Sequence, residues 1–275
     1  MILRDMMKEW KIGINSVTLK GTELTSALRI ASESGYEGFG FWVRDLSNYL
    51  DAEGDLESLR RMVDSLGLDA CELLAVRRWQ KVPAERLDVA EQDARSVFDL
   101  AQAMGIDTVT SPAGEKMHDE EEFSRRLAFV CDIASSYDIT MALEFIAGRN
   151  MPDLKSTLDV VRSVENDNVG VLLDFFHLHK SQSTLEDLRS ASGEEIVLVH
   201  VDDVLGKPLE ELRDKDRVFP GEGVLEIEAI VDALDDIGYQ GYFSIEIFNE
   251  SYWQMDPVDV AERAILSTRE SLGMV

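Results

Sequence analysis

VGVLLDFFHLHK, residues 169–180, and EEIVLVHVDD, residues 194–203, decide how the rest of this sequence reads. Their apolar runs, Val169 to Phe176 and Ile196 to Val201, are continuous rather than alternating. Strands covered on both faces read this way, as in a parallel sheet with helices outside it. Each run ends in groups that bind cations: Asp174 and His177 close the first, His200 with Asp202 and Asp203 the second. The carboxyl ends of strands are where α/β folds keep their sites. Asp174, between Leu173 and Phe175, is a carboxylate in an apolar strand, which is costly unless paired, protonated or bound to a cation. A metal is the simplest partner for it.

The same unit recurs along the chain. KIGINSV (Lys11 to Val17) predicts a strand, and ELTSALRIASESG a helix stopped by Gly35. GFGFWV, ending at Val43, is the second strand, followed by a helix from Asp55 to Gly67. ACELLAV and a helix from Pro83 to Met104 come next, then DTVTSP and a helix from Asp119 to Tyr137 with acids at its dipole-favoured start. TMALEFI (Thr140 to Ile146), a helix from Asp153 to Val164, the strand Val169 to Phe176 and a helix near Leu185 follow. The strand Ile196 to Val201, a helix from Ile227 to Ile237, the strand YFSIEIF and a helix from Pro257 to Ser271 close the series. Eight strands alternating with eight helices predict an α/β fold, a (β/α)8 TIM barrel forming a single domain over residues 1–275. No GxGxxG follows the first strand, which argues against a dinucleotide fold. Gly221 and Gly223 in PGEG lack the Lys-Ser/Thr of a phosphate loop and read as a turn.

The net charge of −27, from 27 basic and 54 acidic residues, disfavours nucleic acid and anionic lipid as partners. Cys71 and Cys131 form no CxxC pair and read as small core residues. No apolar run is long enough to span a membrane, and MILRDMMKEW is too charged for a signal-peptide core. The expectation is a cytoplasmic protein, with a homo-oligomer left open.

Four groups fall at or near the ends of the last four strands: Glu144 in ALEFI, Asp174 in LLDFFH, His200 in LVHVDD and Glu246 in SIEIF. Taken singly, such a carboxylate is more often a helix cap or salt-bridge partner, and such a histidine a satisfied core residue. One from each consecutive strand points instead to a common target. Three carboxylates and one imidazole make a hard site suited to one Mn, Mg or Co ion, with Zn compatible. His177, three residues after Asp174, can turn toward the same cavity, whereas His179 reads equally as a loop residue. Asp202 and Asp203 either orient His200 or cap the next turn. Arg217, in the polar connection Val204 to Gly223, either holds a substrate oxygen or pairs with Asp214 or Asp216. Trp42, Phe175, Phe176, Phe248, Tyr252 and Trp253 are aromatic walls if they face the mouth, and core otherwise.

The stretches ALEF, DNVGVLLDFFHLHKS, VHVDD, DKDRVFPGEG and IEIFNESYW, together spanning Met141 to Trp253, resemble the xylose isomerase-like barrel superfamily of sugar isomerases and epimerases, and within it the inosose isomerases. The resemblance implies Glu144, Asp174, His200 and Glu246 as metal ligands, Glu144 and Glu246 as the catalytic acid/base pair, and His177 and Arg217 as substrate contacts. In the first half only Asn15 carries over, as a substrate contact. GFGFWV lacks the acidic residue that strand two of such barrels commonly has, and AGRNMP departs from the usual loop after Glu144.

The chemistry is coherent without the family. A divalent ion on a ketone oxygen and the neighbouring hydroxyl acidifies the carbon between them and holds the enediolate, while two glutamates on opposite sides move the proton. The expected function is a divalent-metal-dependent isomerase or epimerase of a keto-sugar or keto-polyol such as an inosose. The alternative is a lyase or dehydratase acting on a 3-keto sugar or keto-acid through the same first step. An abasic-site nuclease with a three-zinc cluster requires more histidines than His118, His177, His179 and His200 provide. A non-catalytic sugar-binding barrel has no use for both Glu144 and Glu246.

Overall fold

The computed structural model describes residues 10–117 and 119–275. His118, one of the four histidines weighed for a zinc cluster, and residues 1–9 of the charged lead lie outside the described residues.

Eight parallel strands close into a barrel: β1 Lys11–Asn15, β2 Gly38–Trp42, β3 Asp69–Leu74, β4 Thr108–Pro112, β5 Thr140–Glu144, β6 Val169–Asp174, β7 Ile196–Val201 and β8 Tyr242–Ile245. Their order around the barrel is sequential, with β8 closing onto β1. Asp174 lies opposite His200, and His200 opposite Ser244, so the functional ends of β6, β7 and β8 stand level. Apolar residues on the outer strand faces meet the helices in one large core that includes Ile12, Phe39, Leu143, Leu173 and Phe243. Inside the barrel, Ala142, Leu172 and Leu198 form a separate small cluster, so the interior is filled rather than open.

Local chemistry sets the helix ends. Asp55, Asp119 and Asp153 accept from backbone N–H groups three residues on, and Gly35 and Gly105 adopt the left-handed conformation that ends the preceding helices. The strands are shorter than their apolar runs. The run from Val169 stops at Asp174, whose side chain accepts from the His177 N–H at 2.9 Å and caps a helix from Phe175 to Lys180. Val43, expected to end the second strand, instead starts another helix, Val43–Asp51, which takes in the expected connection and buries only Leu46. The described residues thus hold ten α-helices, not eight.

Beyond β7, Asp203–Val204 pairs antiparallel with Arg217–Val218, and Val204 of this flap packs with Leu212 and Phe176. The PGEG segment is a turn organised by Asp203. Its carboxylate accepts from the N–H groups of Val204, Gly221, Gly223 and Leu225 at 2.8 to 3.1 Å. A Cβ at Gly223 would lie 2.2 Å from Asp203 Oδ1, so only glycine fits there. Cys71 and Cys131 are buried and unpaired. Among the described residues no helix is long and apolar enough to cross a membrane.

Candidate metal centre

At the carboxyl-terminal mouth of the barrel, Glu144, Asp174, His200 and Glu246 each present a ligand atom, all within 4.8 Å of one another. Glu144 and Asp174 are the last residues of β5 and β6, His200 the last but one of β7, and Glu246 the first after β8. Apart from Glu144, which is partly exposed, the set is buried.

Three carboxylates so close repel one another, and the surroundings show how that repulsion is distributed. Burial, with the charges of Asp174 and Glu246 added, pushes the Glu144 carboxyl up to about 8. Burial works against ionisation of Asp174 too, yet Arg217, followed by the nearby histidines, holds its carboxyl below the usual range. The Arg217 Nη1 donates to Asp174 Oδ2 at 2.6 Å and also to Asp202, and lies 3.7 Å from Glu246 Oε2. Arg217 itself is 1% exposed, sandwiched over the rings of Phe176 and Phe248. Asp214 is a lesser partner at 3.6 Å. Burial raises Asp202 well above the carboxylate range, an effect that Arg217 partly offsets.

His200 is fully buried as well. Its Nε2 lies 2.8 Å from Glu72 Oε2, while its Nδ1 faces Glu246 Oε2 at 3.2 Å and Asp174 Oδ2 at 3.8 Å without a hydrogen bond of good geometry. A buried ring nitrogen that faces carboxylate oxygens without a hydrogen bond of good geometry is what a cation site requires, and the donor set suits a hard divalent ion. The residues present therefore fit a divalent metal.

The four proposed ligands come together, and so does His177, whose Nε2 lies 3.4 Å from Glu144 Oε1. Burial lowers the His177 ring to about 4 despite Asp174, so it is neutral at ordinary pH, and its Nδ1 has no partner among the described residues. Asn15 sits below the cluster, where Oδ1 accepts from Trp42 Nε1 and the Val17 N–H and Nδ2 donates to Glu72. Neither Asp202 nor Asp203 orients His200: the first is bound to Arg217, and the second caps the turn. Phe175 is core, whereas Phe176, also buried, packs against the Arg217 guanidinium and edge to face with His177. Trp42 and Phe248 meet edge to face beside the mouth.

Glu72 lies in ACELLAV, whose apolar pattern predicts a strand without assigning this carboxylate to the site. The signal was the same one that singled out Asp174, a carboxylate between apolar neighbours.

Residues 28–271 match the family described as xylose isomerase-like TIM barrel. The chain is 36% identical to the inosose isomerase of Bacillus licheniformis over 147 residues, 53% of this chain and 51% of that protein, so this match spans about half of each. It is 27% identical to the inosose isomerase of Bacillus velezensis over 269 residues, 94% of either chain. A solved structure of the IOLI protein with a binding zinc atom is 25% identical, with a TM-score of 0.89 over 96% of this chain and 98% of that one.

Proposed function

The chain belongs to the xylose isomerase-like TIM barrel family, and from that premise we propose that it is a divalent-metal-dependent isomerase or epimerase of an unphosphorylated keto-polyol, with an inosose as first substrate. The observation that carries the reading is the convergence of Glu144, Asp174, His200 and Glu246. The inosose isomerases it resembles and the zinc of the IOLI structure support the substrate class and the ion.

These four side chains would hold Mn, Mg, Co or Zn, which when bound supplies Lewis acidity that makes a hydrogen beside a ketone removable. Glu144 and Glu246, from strands five and eight, act as the proton-transfer pair, one taking the carbon-bound proton and the other returning it. His177 steadies Glu144 from 3.4 Å. The unmatched Nδ1 of His177 and Nε of Arg217 are assigned to substrate oxygens, while Asn15, wholly buried, acts through Glu72. Arg217 also keeps Asp174 ionised in a buried place.

The test is incubation with an inosose and each of the four ions, followed by NMR. A rearranged ketone is the expected product. Loss of water with an unsaturated ketone assigns the lyase outcome instead, since both share the first proton abstraction, and an unchanged substrate with every ion contradicts the proposal.

A further inference from the structure

We infer that Glu72 is a positioning residue for the metal centre: its carboxylate accepts from His200 Nε2 and so reserves the His200 Nδ1 lone pair for the ion. The inference rests on the reading of Glu144, Asp174, His200 and Glu246 as ligands. Glu72 reaches His200 from the opposite side of the barrel, β3 to β7, at 2.8 Å, and both groups are buried. The chain is built to admit it. The register of β2 against β3 shifts between Phe39 and Gly40, pairing Gly40 with Glu72, and a Cβ at Gly40 would lie 2.3 Å from Glu72 Oε1. A bulge of this kind re-aims a side chain.

The carboxylate is also oriented. Asn15 Nδ2 at 3.1 Å and Ser244 Oγ at 2.6 Å both donate to Oε1, leaving Oε2 for the imidazole. Asn15 cannot present its oxygen instead, because Trp42 Nε1 and the Val17 N–H already donate to Oδ1. With Nε2 donating to Glu72, the His200 nitrogen that faces the carboxylate cluster is Nδ1, which has no hydrogen-bond partner among the described residues. A carboxylate behind a ligating histidine fixes its ring and tautomer and makes it a better donor to the ion.

This arrangement predicts an inverted order of variants. In Glu72→Gln the amide oxygen takes the place of Oε1, where two donors await it, and the NH2 faces His200. Nε2 must then accept, which puts the proton on Nδ1, where the ion belongs. In Glu72→Ala the ring regains its freedom, with water able to enter the polar gap. A packing role makes glutamine the milder change; the positioning role makes it the more severe.

The experiment is cobalt(II) affinity of the folded proteins by competition with a chromophoric chelator, with thermal melts of the metal-free forms alongside. Glu72→Gln should bind cobalt on the order of 10- to 100-fold more weakly than the parent, and more weakly than Glu72→Ala, while melting higher than Glu72→Ala. The cobalt-loaded parent should show a shifted imidazole N–H resonance that vanishes in D2O. If the parent binds cobalt and Glu72→Gln matches it, or Glu72→Ala is the weaker binder, the role of Glu72 is overturned and the metal site stands. Should Glu72→Gln not fold, Glu72→Ala binding as tightly as the parent overturns it equally. A parent that takes no cobalt removes the metal reading, and this inference with it.

Discussion

Arg217 Nη1 lies 2.6 Å from Asp174 Oδ2, both side chains buried, so a loop that rises over the barrel mouth supplies the positive charge that lets a strand-end carboxylate stay ionised. The pair joins two demands. A ligand for a cation must be negative, and a negative group in the interior needs compensation whether or not the cation is there.

Replacing Arg217 with methionine should therefore destabilise the metal-free protein by about 3–5 kcal/mol, the cost of leaving one partner of a buried pair uncompensated. Added divalent ion should recover part of the loss, since it supplies the missing positive charge. Denaturant unfolding with chelator and with excess manganese measures both; a loss below about 1 kcal/mol in chelator would show that the pair is dispensable.

Chelation should lower the melting temperature of the parent in proportion to the ion's affinity. An ion present at about 100 times its dissociation constant contributes about 2.7 kcal/mol. Elemental analysis should find one ion per chain, and an identical melt with and without chelator counts against the site.

On the outer surface, Arg162 Nε and Nη2 donate to Glu195 at 2.6 and 2.9 Å. These bonds from Arg162, together with one from the Ser192 N–H, hold the Glu195 carboxyl below the usual range against a smaller opposing effect of burial. A lowered folded value means that the stabilisation is present above the unfolded glutamate range and is lost as pH falls through the folded value. Glu195→Gln should thus cost about 0.3–1 kcal/mol near neutrality and converge on the parent in acid. A gap between the two that widens toward low pH would reverse the assigned sign.

With a net charge of −27, repulsion between surface acids should be relieved by salt. The melting temperature should rise from low to moderate sodium chloride, and a flat or falling trend contradicts this.

The sequence made the barrel legible because each βα unit announces itself locally: an apolar run, a glycine or acidic cap, an amphipathic stretch. It made the cluster at the barrel mouth legible because Asp174 and His200 interrupt apolar runs at their ends. What stayed hidden depends on partners remote in sequence. Glu72 is buried against His200, 128 residues away; its apolar neighbours in ACELLAV mark it as needing a partner but do not say which one. Arg217 offered Asp214 and Asp216 as near partners, and the fold keeps Asp214 at 3.6 Å but gives the closer places to Asp174 and Asp202. The helix from Phe175 to Lys180 was lost because an unbroken apolar run has no periodicity to separate strand from helix, and only the cap made by Asp174 marks the change.

The central claim is that four side chains hold one ion while Glu144 and Glu246 move the proton, and hydrogen–deuterium exchange at the carbon beside the substrate ketone, in D2O at saturating metal, tests it most directly. Glutamine keeps the size and one ligating oxygen of glutamate but is no base. Glu144→Gln or Glu246→Gln should each lose exchange by at least about 100-fold, with no rescue by excess ion, whereas Asp174→Asn should regain part of its exchange as metal is added. Exchange as fast as the parent in both glutamine variants, with Asp174→Asn inactive at every metal concentration, would contradict the account.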